Sequence, residues 1–113
     1  MKSKLSATAY SRYGREAAIL LGQLIRAGRK ERGWTAGELA DRAGISRRTL
    51  QRIEKGDPGC QIGGVFEAAA LVGVPLFEAE PSALTRQVRQ MEDKLRLLPR
   101  SVRVKTREVD DDF

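Results

Sequence analysis

Residues 36–55, AGELADRAGISRRTLQRIEK, decide the fold. Leu39, Ala40, Gly44, Ile45, Leu50 and Ile53 stand where two short crossed helices need apolar, small or turn residues. Helices crossing steeply leave no room for a large side chain at the crossing, and Ala40 is small. Gly44 is free to adopt positive φ, which ends the first helix and reverses the chain. Ser46 stands directly before the next helical run, where its hydroxyl caps free N–H groups. Leu50 and Ile53 face inward, while Arg47, Arg48, Gln51 and Arg52 face outward. That outward set is wrong for a core and suited to guanine edges and phosphates. The pattern is a helix-turn-helix.

Outward from this window, residues 14–32 place Ala17, Leu20, Leu21, Leu24, Ile25 and Ala27 at helical spacing, which predicts a long first helix ended by Gly33. Trp34 reads as a core plug between helices. Thr35, with Glu38 three residues on, makes a capping-box start for a helix over 36–43. The outward-facing helix, about 47–55, runs into Lys55-Gly56-Asp57-Pro58-Gly59, a dense stop and turn signal. Ile62, Val65, Phe66, Ala69, Ala70 and Val72 predict a fourth helix closed by Gly73, with Gly63 and Gly64 weakening its first turn by roughly 1 kcal/mol each relative to Ala.

Val74, Pro75, Leu76 and Phe77 are apolar and too short for a helix; they read as an edge strand or a docking segment. A fifth helix over 82–98 is bounded by Pro81-Ser82 and Pro99. In it Leu84, Val88, Met91, Leu95 and Leu98 repeat at the spacing of a coiled-coil seam. Two heptads are too few for a stable free coiled coil, so the seam needs its own domain, a second copy or another protein to cover it. The expected organisation is a loose arm over 1–11, a domain over 12–77, the amphipathic helix over 82–98 and a charged tail over 99–113.

With 21 Lys and Arg against 15 Asp and Glu, the net charge of +6 favours a polyanionic partner. The charge is uneven: residues 1–58 carry 13 basic and 6 acidic side chains, so most of the excess accompanies the helix-turn-helix. A single cysteine, Cys60, excludes an internal disulfide, and the absence of histidine removes the usual zinc ligand sets. Cys60 reads as packing rather than chemistry. No metal and no cofactor is expected. The most apolar stretch, residues 17–27, is broken by Gln23 and Arg26 and falls short of the roughly 20 residues that cross a bilayer. A soluble, cytoplasmic protein with no membrane partner is expected.

Arg47 and Arg48 lie in the first turn of the outward-facing helix, the part that comes nearest to bases, and Arg52 lies a turn further on. A bidentate Arg contact to guanine is worth about 1 to 3 kcal/mol of discrimination, whereas a phosphate contact adds affinity without preference. Arg47 or Arg48 is expected to read bases, and the sequence does not separate the two. Gln51 either pairs with adenine or is solvated. Glu54 is out of place on so basic a surface and reads as the partner of Arg29, tying the first helix to the third. Catalysis lacks support: there is no histidine, no nucleophile with an identifiable base and no Gly-rich phosphate loop. The run Asp110 to Asp112 reads as a solvated end or a partner-docking tail.

The stretch RKERGWTAGELADRAGISRRTLQRIEKG resembles the Cro/repressor-type (XRE) helix-turn-helix of bacterial and phage regulators over about residues 15–73. The resemblance is carried by RxxRGWT before the second helix, ELA within it, GIS at the turn and RIEKG at the end of the third. It implies an all-α domain of about four to five helices that works as a homodimer on a palindromic operator in double-stranded DNA. Ser46, Arg47, Arg48 and Arg52 would then lie at the groove, with Thr35, Gln51 and Lys55 beside them, and Arg29 would pair with Glu54. One departure is Ala36, followed by Gly37, where the family commonly has Gln near a phosphate; Thr35 is left to make that contact.

The apolar segment after the domain is similar to that of HipB-type antitoxins, in which such strands pair across the dimer and the protein represses its own operon while binding a HipA-like kinase toxin. The ending LLPRSVRVKTREVDDDF looks like that of small regulators encoded beside such kinases. Val74, Leu76, Phe77, Leu84, Val88, Met91, Leu95 and Leu98 are the residues expected at a dimer or partner interface. Three readings compete: an autoregulating antitoxin, a stand-alone phage-type regulator without a toxin, and a protein-interaction module that uses mainly the 84–98 seam.

Overall fold

The computed structural model describes residues 9–77 and 80–102. Of the arm expected over 1–11 and the tail expected over 99–113, residues 1–8 and 103–113 lie outside the described residues. The fold is all-α: α1 (Arg12–Glu31), α2 (Ala36–Ala43), α3 (Arg47–Glu54), α4 (Ile62–Leu71) and α5 (Pro81–Leu97). The chain divides into two compact units, the first reaching Leu76 and the second starting at Phe77.

In the first unit local chemistry sets each helix boundary. Ser11 opens α1, its side chain accepting the Gly14 N–H at 3.0 Å, and Gly33, at φ +74°, turns the chain after it. Thr35 and Glu38 form the reciprocal capping box of α2, with N–H···O distances of 3.0 and 2.8 Å. Ile25, Leu39, Ala40, Leu50, Ile53, Ala68, Ala69 and Val72 make the core, one position or more from each of the four helices. α3 packs on both α1 and α2, and α4 packs on α2.

The buried side of α1 differs from the expected apolar run. Gly22, Ile25 and Gly28 are buried, whereas Leu20 and Leu24 remain 56% and 45% exposed, and Ala17 and Ala27 are exposed too. Helix α1 thus has two apolar sides, and the glycine-bearing side won because it allows closer approach. A Cβ on Gly22 would stand 2.3 Å from the Ile53 carbonyl oxygen, and one on Gly28 would stand 2.8 Å from that of Val72. On α4 the buried positions are Ala68, Ala69 and Val72; Ala70 and Ile62, expected to face inward, are exposed.

No strand occurs among the described residues. The segment 74–77, expected as an edge strand or a docking segment, is irregular. A strand needs a partner ladder, and here the Val74 N–H instead donates to the Ala69 carbonyl at 2.8 Å, closing the end of α4. Val74 packs against the core, while Leu76 and Phe77 stay exposed.

The second unit contains α5. Pro81 occupies its first turn, where a missing N–H does no harm. Leu84, Val88, Met91, Leu95 and Leu98 are all exposed, and no residue of α5 is buried.

Candidate nucleic-acid interface

Helices α2 and α3 are joined by a turn whose geometry follows from Gly44, which sits at φ +72° in the left-handed region. The Ile45 N–H closes the turn on the Ala40 carbonyl at 3.0 Å. Ser46 then starts α3: its Oγ accepts the Thr49 N–H at 3.0 Å and donates to Thr49 Oγ1 at 2.9 Å. Leu50 and Ile53 are buried beneath α3, at 0% and 4% exposure. The inward face is thereby anchored, and Arg47, Arg48, Gln51, Arg52 and Lys55 are left on the exposed surface.

The back of α3 is also held by charge. Arg29 Nε donates to Glu54 Oε2 at 2.7 Å and Nη2 to Oε1 at 2.9 Å, while Nη1 donates to the Trp34 carbonyl at 3.0 Å. The hydrogen bond to Glu54 raises the Arg29 pKa, against the opposing effect of burial. One guanidinium thus links α1, the loop before α2 and the end of α3. Trp34 is half-buried against the core, as a plug would be, but its ring also lies under Arg42, whose guanidinium carbon is 4.3 Å from the ring centroid.

Several contacts have no counterpart in the reading of the sequence. Arg52 Nε donates to Asp57 Oδ2 at 2.8 Å, and Asp57 Oδ1 accepts the Gly59 N–H, also at 2.8 Å. The Gly59 amide foremost, and Arg52 next, hold the Asp57 carboxyl below its ordinary pKa. Arg32 Nη1 donates to the Val72 carbonyl at 2.9 Å, placing a cation at the carboxyl end of α4. A basic residue followed five positions later by Asp within a Gly-Asp-Pro-Gly turn was the only available signal for the first pair; the Arg32 contact spans 40 positions and had none. Cys60 is half-buried against the core, and burial raises its thiol pKa, which keeps it protonated.

The expected surface residues fall into two separate groups. Thr35, Ser46, Arg47, Arg48, Gln51, Arg52 and Lys55 all lie at exposed positions on or beside the α2–turn–α3 motif. The hydroxyls of Thr35 and Ser46 are already engaged in caps. Leu84, Val88, Met91 and Leu95 form an exposed seam on α5, Leu98 is exposed directly after its last residue, and Val74 is drawn into the core of the first unit.

The model of the helix-turn-helix domain family matches residues 20–80, more than half of the chain, and the chain belongs to that family. It therefore carries a helix-turn-helix DNA-binding domain. No curated protein and no solved structure matches it significantly. Among the described residues, no helix is long and apolar enough to cross a membrane.

Proposed function

We propose that the chain is a sequence-specific transcriptional repressor that lays α3 in the major groove of a palindromic operator as a homodimer. The observation that carries this reading is the division of α3 into two faces: Leu50, Ile53 and the Arg29–Glu54 pair fasten one, and the other presents Arg47, Arg48, Gln51, Arg52 and Lys55 to solvent. A rod held from behind keeps its side chains in register with base edges, and arginine is the residue best shaped for guanine O6 and N7. In this reading Arg47 or Arg48 reads bases, Gln51 lies beside them, and Thr35 and Lys55 meet phosphates. The α5 seam supports the homodimer, because two copies aligned along it would cover five exposed apolar positions each.

The finer part of the proposal is that the repressor is the antitoxin of a HipA-like kinase toxin and acts on its own operon. That part rests on resemblance in the segment after residue 73, and the irregular 74–77 segment lends it no strand of its own. A stand-alone regulator is the alternative. Co-expression with an adjacent kinase-like gene, followed by purification of a complex, separates the two.

The test of DNA reading is binding of the full chain to its own upstream DNA at two salt concentrations. Affinity is expected to fall with salt, reporting phosphate contacts, while preference over random duplex persists. Arg47→Ala or Arg48→Ala is expected to lower that preference. Equal affinity for all duplexes would overturn the reading.

A further inference from the structure

Resting on the base-reading role proposed for α3, we propose that Asp57 is a positioning residue that aims the guanidinium of Arg52 at a guanine and keeps it from the phosphates. Arg52 projects from the exposed face of α3, and among the described residues the one hydrogen-bond and ion-pair partner of its side chain is the Asp57 carboxylate. That partner takes the Nε edge, at 2.8 Å, and leaves both Nη groups for a ligand. Two parallel N–H donors at the tip of a planar fork match the O6 and N7 acceptors of guanine.

The direction of control follows from what holds Asp57. Its second carboxylate oxygen accepts the Gly59 N–H at 2.8 Å, and its own N–H donates to the Arg52 carbonyl at 3.0 Å. The preceding residue, Gly56, lies at φ +85° with its Cα turned so closely against α1 that a Cβ there would stand 2.6 Å from Ile19 Cα. The turn carrying Asp57 is therefore built into the domain, and the long arginine is the partner that yields. A free arginine must give up several rotatable bonds on binding, whereas a tethered one has surrendered much of that freedom beforehand. The same carboxylate repels DNA phosphates and so opposes a drift of Arg52 toward sequence-independent contacts.

The experiment uses the full-length chain as wild type, Arg52→Ala, Asp57→Ala, Asp57→Asn and the Arg52→Ala/Asp57→Ala double variant. A preferred duplex is selected from a randomised library, and each base pair of a half-site is then substituted in turn. Arg52→Ala is expected to flatten the preference at one base pair, and both Asp57 variants to weaken it at that same base pair by about tenfold. Affinity of the Asp57 variants for random duplex is expected to hold or rise, which loss of folded protein would not produce. The double variant is expected to match Arg52→Ala. An unchanged base-pair profile in the Asp57 variants, a loss spread evenly over all duplexes, or an Arg52→Ala profile like wild type would overturn this inference alone. A wild-type chain that selects no duplex would overturn it together with the repressor reading.

Discussion

Arg29 and Glu54 meet in a two-pronged ion pair, 2.7 and 2.9 Å long, that fastens the end of α1 to the last residue of α3. Their side chains are only 11% and 8% exposed. Water screens the pair poorly, and among the described residues neither group has a second charged partner to fall back on. Glu54→Ala, which leaves a part-buried guanidinium with the Trp34 carbonyl but without its carboxylate, is expected to destabilise the domain by about 1 to 3 kcal/mol in chemical denaturation. Replacing both partners, Arg29→Met with Glu54→Leu, is expected to restore most of that loss; a double variant as unstable as the single one would contradict the assignment.

Glycine-to-alanine changes should have opposite signs at two helical positions. At Gly22 an added methyl meets the Ile53 and Glu54 carbonyl oxygens at 2.3 and 2.9 Å, so overpacking of about 1 to 3 kcal/mol should exceed the helix-propensity gain. At Gly63 nothing stands within 4 Å, and alanine is expected to stabilise α4 by up to about 1 kcal/mol. Thermal melts of the two variants should move in opposite directions from wild type.

The seam on α5 predicts an oligomeric state. Val88 and Met91, 51% and 52% exposed, stand at its middle. Changing both to Asp is expected to turn a dimer into a monomer in sedimentation velocity without altering the helices of the first unit by circular dichroism. A wild-type chain that sediments as a monomer would remove the homodimer from the proposal.

Asp57 supplies a pH dependence of definite sign. Its folded carboxyl pKa is lowered, by the Gly59 amide first and Arg52 next. Its contribution to stability is therefore complete above the ordinary carboxylate value of about 3.9 and fades as pH falls through the lower folded value. The stability difference between wild type and Asp57→Asn is expected to be constant from about pH 8 to 5 and to shrink below about 4. A difference that changes near neutrality would point to another group.

How far the residue pattern reached can be judged element by element. Thr35 with Glu38, Gly44 and Ser46 are local signals, complete within four residues, and each boundary around the turn follows from them. The Arg29–Glu54 pair was legible because a lone acid on a basic helix needs a reason to be there. The packing side of α1 was not: Leu20 and Leu24 look as fit for a core as Leu21 and Ile25, and the choice was made by Gly22 and Gly28, whose importance is visible only once another backbone lies against them. The 74–77 segment misled for a related reason, since apolar character does not say whether a short run will pair edge to edge or fold its first residue under a neighbouring helix end. Among the exposed arginines of α3, Arg52 is tethered to a carboxylate, whereas Arg47 and Arg48 have no side-chain hydrogen bond or ion pair among the described residues, a distinction that needs coordinates.

The notch at Gly22 brings main chain against main chain, so that at this one position no side chain stands as a spacer between α1 and the end of α3. Such a joint has nothing soft in it. The tilt of α3 cannot be retuned by trading one core residue for a slightly larger or smaller one at that point, because there is no residue volume there to trade. On the proposed repressor reading, new operator preferences are therefore expected to arise by exchanging the residues at 47, 48, 51 and 52, with the rigid joint beneath them left alone.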